Sequence, residues 1–258
     1  MPYGRKWALR TINIMGKKII CYPLKPKGGS KWDDYELRCS LRSIAKHWKG
    51  EYDSIVILGA WMPDWVNEEA VEFKLAPQYL QALRGAVELA GEGGDILWMN
   101  DDILFMQDTD WSELVKPARR ERCPQMTLGR AKEWCQSDNG WMRRLGEIML
   151  VLHENGEPTW KFSTHTPYWY EADKLGPLLD EFGHLGYKVA IENAYYNRHL
   201  KEFGAIPCQD KFRAGKNTAR FPMGRYSEVR FLNLTPCVGP WMKGFIRATF
   251  PTPCKFER

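Results

Sequence analysis

A chain of 258 residues, 44% apolar and 13% aromatic, carries enough hydrophobic material for one large core or two small ones, and too much for intrinsic disorder. Its net charge is +5, from 37 Lys and Arg against 32 Asp and Glu. No apolar run approaches the roughly 20 residues of a membrane-spanning helix, and the opening MPYGRKWALRTINIMGKK carries charge without the apolar stretch of a secretory signal. The seven cysteines include no Cys-x-x-Cys pair, a usage that suits reduced thiols in a cytoplasmic protein better than a disulfide framework or a zinc site.

In chain order, KKIICYPL (17–24) predicts a short strand ended by Pro23 and a Lys/Gly-rich loop, 25–31. The stretch 33–48 predicts a helix, with Leu37, Leu41, Ile44 and Ala45 at helical spacing and Asp33 or Asp34 as its cap. YDSIVILGA (52–60) predicts a buried strand stopped at Gly59, and 76–91 a helix closed by Gly91. Strand, helix, strand, helix and a further strand from 94 predict an α/β fold: a mostly parallel, Rossmann-like sheet flanked by helices. After residue 107 the periodicity loosens into aromatic and basic stretches, with one helix predicted around 187–203. No repeat or low-complexity linker divides the chain, so one domain is expected, with a loop-rich basic C-terminal part. From 205 to 258, ten Lys and Arg stand against three acidic residues. Such a surplus is either a solvated surface or an attraction for a polyanion or phosphorylated ligand.

The stretch GDILWMNDDILFM (94–106) sets a polar triplet, Asn100-Asp101-Asp102, between two apolar runs. Burying carboxylates is costly unless a partner or metal compensates them. In a parallel sheet, ligands gather beyond the carboxyl ends of the strands, which is where this triplet is expected. Two carboxylates and an amide are hard oxygen ligands suited to Mg²⁺ or Mn²⁺, ions that bridge carboxylates and substrate phosphates. The plainer reading is a turn, for which Asn and Asp are favoured.

An apolar strand, an Asx-Asp-Asp triplet and a second apolar strand resemble the Asp-x-Asp element of GT-A glycosyltransferases, which holds a divalent cation on the diphosphate of a nucleotide-sugar. Three segments also resemble the Stealth sugar-phosphate transferases, in that family's order. They are ELRCSLRSIAKHWKGEYDSIVILGAWMPDWV (36–66), ILWMNDDILF (96–105) and HTPYWYEADKL (165–175). The family's opening Trp-Val-Asp-Gly is replaced here by ICYPLKPKGG, a departure in the loop that contacts the donor. The resemblance implies a GT-A-like fold in which 17–107 binds a nucleotide-sugar, with a UDP-sugar as the first expectation, and 108–258 serves the acceptor. It also implies Asp101 and Asp102 as ligands of Mn²⁺ or Mg²⁺ and of the diphosphate, with Asn100 beside them.

Further candidates come from residue chemistry. Arg38 and Arg42, four apart, share one helix face, and their guanidinium forks suit a donor diphosphate or a salt bridge to Glu36 or Asp34. His165 has an imidazole suited to Mn²⁺, and the aligned family His supports that role; a structural hydrogen bond is the alternative. An inverting sugar transfer needs a carboxylate to accept the acceptor's proton. Glu192 is the first candidate, although a carboxylate starting a helix is also favoured by the dipole; Asp173 and Asp138 compete with it. A retaining enzyme would need no such base.

Aromatic and basic residues interleave over 110–145 and 211–247, Arg213 and Lys216 among them. That pattern favours an acceptor in nucleic acid, such as a sugar-modified base of the kind viral DNA glycosyltransferases make, or a surface glycan. A non-catalytic nucleic-acid-binding protein and a metal-dependent nuclease are the competing classes. Neither a DNA-binding fingerprint nor the further spaced acidic residues of a nuclease are visible.

Overall fold

The structure, a computed structural model, describes residues 16–24, 34–114, 118–119, 125–186, 189–199, 206–207, 211–214, 228–234 and 239–258. Its central sheet comprises β1 (Lys18–Pro23), β2 (Ser54–Gly59), β3 (Glu72–Leu75), β4 (Asp95–Trp98) and β7 (Tyr168–Glu171), in the order β3-β2-β1-β4-β7. The first four strands are mutually parallel, and β7 closes one edge antiparallel to β4. β2 and β3 lie on one side of β1 and β4 on the other, so the order reverses between β1 and β4, as in a Rossmann-like sheet.

Successive side chains of a strand point to opposite faces, and β1 uses both. Ile19 and Cys21 enter one core, Ile20 and Tyr22 the other, and all four are fully buried. A strand buried on both faces reads as an unbroken apolar run, hence IICY and IVIL. One face is covered by α2 (Tyr79–Ala90), α5 (Gly140–Glu154), α6 (Ala172–Phe182) and α7 (Ile191–Arg198). The other is covered by α1 (Tyr35–His47), β5 (Ile103–Phe105) and Phe256.

β5 belongs to a second sheet with β9 (Lys211–Ala214) and β10 (Phe231–Leu234), in the order β5-β10-β9. α8 (Pro240–Thr249) packs Met242 and Ile246 with Leu104 and Leu232 of that sheet. β6 (Ala118–Arg119) and β8 (Ile206–Pro207) pair as a short parallel ladder. Among the described residues no helix is long and apolar enough to cross a membrane.

The second half of the chain is more ordered than its sequence suggests. Besides the expected helix near 190, the chain after residue 107 holds α3 (Trp111–Leu114), α4 (Leu128–Cys135), α5, β7, α6 and α8. α5 contains Gly146, which reads as a helix breaker and is a contact point instead. A Cβ there would lie 2.7 Å from the Cys135 nitrogen and 2.8 Å from the Ala131 oxygen, so only glycine lets α4 come this close. β3 escapes sequence reading because it is a four-residue edge with Phe73 and Leu75 exposed.

The C-terminus is fastened to α1. Arg42 donates from Nε and Nη2 to Glu257 Oε1 and Oε2 at 2.6 and 2.8 Å, and from Nη1 to the Phe250 carbonyl at 2.8 Å. Arg38 adds a bond to Glu257 Oε2 at 2.8 Å while its guanidinium lies 4.0 Å from the Trp65 ring centroid. Both arginines that helical spacing offers to a diphosphate are therefore committed to the tail. Their partner is neither Glu36 nor Asp34, the local alternatives, but a residue more than 200 positions away. Burial pushes the Glu257 carboxyl up, and bonds from Arg42 and Arg38 outweigh it, leaving the group below its ordinary range.

Two outcomes are expected. Glu257→Ala strands the buried Arg42 and lowers unfolding free energy by about 3–5 kcal/mol in denaturant titration. Because the folded pKa of Glu257 is depressed, its contribution is present above the unfolded value and disappears as pH falls through the folded one. The stability gap between wild type and Glu257→Gln should therefore narrow in acid.

Candidate active site

A cavity of about 280 Å³ opens beyond the carboxyl ends of β1 and β4. Pro23 and Leu24 follow from β1, Leu58 from β2, Gln78 and Tyr79 from the start of α2, and Asn100, Asp101 and Asp102 from the end of β4. Asp101 is buried, whereas Asn100 and Asp102 are half-buried. The cavity sits at the reversal of strand order, where a Rossmann-like sheet accepts ligands.

The triplet is a turn: the Ile103 nitrogen donates to the Asn100 carbonyl at 3.2 Å. It is held more firmly than a surface turn. Leu234 of β10 donates its backbone N–H to the Asp102 carbonyl at 2.7 Å. Ser40 Oγ donates to the Ile103 carbonyl, and the Phe105 nitrogen donates to Ser43 Oγ at 3.0 Å. The serines and Arg42 of the 36–66 segment thus act as scaffold beneath the carboxylates.

A second cavity, about 340 Å³, adjoins the first across Tyr79, Asn100 and His165, which line both. Trp98, Trp141 and Tyr168 give it aromatic walls, and Ser163 and Glu192 supply polar groups. His165 has a left-handed backbone, φ 53°, uncommon outside glycine. Tyr168 Oη accepts from the backbone nitrogens of Thr164 and His165 at 3.1 and 3.2 Å, which fixes that bend.

Glu192 lies in the first turn of α7, a helix whose residues Ile191–Asn197 are all buried despite three polar side chains. Those side chains replace a missing strand. Asn197 accepts from the Trp160 nitrogen and donates to the Trp160 carbonyl, both at 2.8 Å, and Asn193 accepts from the Phe162 nitrogen at 2.8 Å. The extended segment through Ser163 thereby satisfies its backbone on side-chain amides. Burial pushes the Glu192 carboxyl above its ordinary range, against the opposing bonds from Ser163 and Asn193.

Sequence reasoning therefore brings Asn100, Asp101, Asp102, His165 and Glu192 to one pair of joined cavities. Other candidates fall elsewhere. Asp173 lies at the opposite end of the sheet, where its Oδ2 accepts from the Gly93 nitrogen at 3.0 Å and supports a turn with φ 72°. Asp138 is exposed before α5 and lines neither cavity. Neither is placed to take an acceptor proton. Arg38 and Arg42 are bound to Glu257, and no Lys or Arg is among the described residues lining the first cavity. The Lys/Gly-rich loop 25–31 begins directly after Leu24 and lies outside the described residues, as does Lys216; β9 includes Arg213 in its backbone ladder only. The aromatic walls Tyr79, Trp98 and Tyr168 went unnoticed in sequence, because single aromatics on three separate elements carry no local signal.

Size alone would point to another cleft. About 780 Å³ opens at the amino ends of β1, β2 and β3, lined by Glu51, Asp53, Glu68, Glu69 and Glu72 with Lys18 and Lys255. That cleft lies at the opposite end of the strands from the one where a Rossmann-like sheet binds its ligands.

Among the described residues, no three His, Cys, Asp or Glu side chains group closely enough to cage a metal by themselves. Asp101, Asp102 and His165 share one cavity without forming such a cage. Their chemistry nonetheless fits Mg²⁺ or Mn²⁺ of the kind held by one or two carboxylates and completed by substrate phosphates. Comparison of the sequence with models of known protein families and with curated proteins returns no match in either case.

The amide framework yields a direct expectation. Asn197→Ala removes the partners of both Trp160 backbone groups and should lower unfolding free energy by about 1–3 kcal/mol in thermal or denaturant melts. Because the segment carries Ser163 and His165, limited proteolysis should find it more open in the variant.

Proposed function

We propose that the protein is a divalent-cation-dependent glycosyltransferase with a GT-A-like sheet, moving a sugar from a nucleotide-sugar to an acceptor hydroxyl. The observation that carries this reading is the Asp101-Asp102 turn, at the β1–β4 switch point, in a cavity joined to a second one that Glu192 lines. The resemblance of 96–105 to the Asp-x-Asp element points the same way.

Electrostatics supports it. A diphosphate entering the first cavity meets two carboxylates and no described cation, so the two like-charged groups repel unless a divalent ion stands between them. Asp101, Asp102 and His165 are the residues that would hold such an ion, and the ion would supply charge stabilisation for the departing diphosphate. Asn100, shared by both cavities, is placed to hydrogen-bond the sugar that crosses from one to the other. Glu192, raised by burial towards neutrality, is the group suited to receive the acceptor's proton. The aromatic walls favour an acceptor that presents a ring, whether from a glycan or a base drawn out of nucleic acid.

Calorimetry with UDP decides the matter. Wild-type protein should bind UDP with Mn²⁺ present and lose at least tenfold in affinity, about 1.4 kcal/mol, without it. Asp102→Ala should abolish the Mn²⁺ dependence while its melting behaviour stays close to wild type. Metal-independent affinity, or an unaltered Asp102→Ala profile, refutes the assignment; a panel of other nucleoside diphosphates identifies the base.

A further inference from the structure

Two side-chain hydrogen bonds to the Glu192 carboxyl converge on one oxygen. Ser163 Oγ donates to Oε1 at 2.5 Å and Asn193 Nδ2 donates to the same Oε1 at 2.9 Å. Asn193 Nδ2 also reaches Ser163 Oγ at 2.7 Å, closing a three-residue ring of contacts. The amide cannot turn over, because Asn193 Oδ1 accepts from the buried Phe162 nitrogen at 2.8 Å and a flip would orphan that donor. Two side-chain donors on Oε1 fix the plane of the carboxyl, and Glu192 lines the aromatic cavity. Ser163 belongs to a different segment from Glu192, and two residues beyond it His165 lines both cavities.

On the reading that Glu192 receives the acceptor's proton, we infer that Ser163 is a positioning residue. Its hydroxyl anchors Glu192 Oε1, so that Oε2 faces the acceptor hydroxyl in the aromatic cavity. In the step it serves, the acceptor O–H breaks and the proton passes to Oε2. The acceptor oxygen bonds to the anomeric carbon, and the bond from that carbon to the diphosphate breaks, its electron pair leaving on the diphosphate.

The surroundings leave Ser163 and Asn193 as the adjustable part of this device. The titratable groups that feel Glu192 are Tyr79 of α2, Tyr168 and Tyr170 of β7, Tyr196 of α7, and Lys161. Burial pushes all four phenols up, so they stay neutral across the useful range. Lys161 Nζ lies between the Trp134 and Trp141 rings, 4.9 and 4.8 Å from their centroids. Ser163 is the largest opposing influence to burial on the Glu192 carboxyl, and it favours the ionised form.

The test uses the full chain and infrared titration of the Glu192 carboxyl, its band assigned by disappearance in Glu192→Gln. Ser163→Ala should raise the titration midpoint by about one pH unit, the effect of losing one hydrogen bond to a charged group. Ser163→Cys, similar in size and a weaker donor, should shift it less in the same direction, and Ser163→Thr should restore it. With a nucleotide-sugar and acceptor, Ser163→Ala should lower kcat roughly tenfold with KM within about twofold, as expected when a proton acceptor is mispositioned and binding is not. A purely structural serine would reduce thermal stability and leave both midpoint and kcat unmoved, which overturns the inference. Failure of the UDP calorimetry would remove the transferase reading, and the infrared midpoints would still decide what Ser163 does.

Discussion

Everything at the candidate site depends on how β5 is held. Strand β4 ends at Trp98 and β5 begins at Ile103, yet the two belong to different sheets. β5 pairs with β10 on one side only, so its other edge must find partners inside the protein. Ser40 and Ser43 of α1 supply them, through the Ile103 carbonyl and the Phe105 nitrogen. Tyr22 Oη lies 2.9 Å from Ser40 Oγ, so β1, α1 and β5 meet in one buried polar knot. That knot fixes the far end of the Asn100-Asp101-Asp102 turn, while β4 fixes the near end. α1 in turn is fixed by the Arg42–Glu257 pair, so the last residues of the chain stand behind the carboxylates at its centre.

The same arrangement explains what could be read from sequence. β1, β2 and α1 were legible because double-sided burial and helical spacing are local patterns, and the Asp pair stood out because it interrupts one. Arg38 and Arg42 could not be decided from sequence because their spacing is equally suited to a phosphate and to a carboxylate, and the carboxylate they meet, Glu257, sits at the other end of the chain. The position of Asp173 was hidden for a similar reason. It follows a strand, but β7 runs antiparallel to β4, which carries it to the wrong end of the sheet. Strand direction is a property of pairing, and a four-residue strand such as YWYE does not declare it. The buried face of α7 was hidden because its polar residues satisfy the backbone of another segment.

The two halves of the site use carboxylates in opposite ways. Asp101 and Asp102 are adjacent at a strand end and need an added positive charge before a phosphate can approach. Glu192 is solitary and buried among phenols, and burial pushes its carboxyl up against the opposing bonds from Ser163 and Asn193. Acids whose surroundings differ in this way suit the two tasks that the proposed function asks of them, holding a cation and moving a proton.

Between them stands a shared wall of Tyr79, Asn100 and His165. Its least relaxed member is His165, whose left-handed backbone costs free energy that a loop free to relax would not retain. The bend persists because Tyr168 Oη accepts from both His165 and its predecessor, while Ser163, two residues before, is fixed to Glu192. The backbone of His165 and the Glu192 carboxyl are thus held by bonds on one short stretch. His165, which lines both cavities, and Ser163, which holds Glu192, are only two residues apart on one fixed segment.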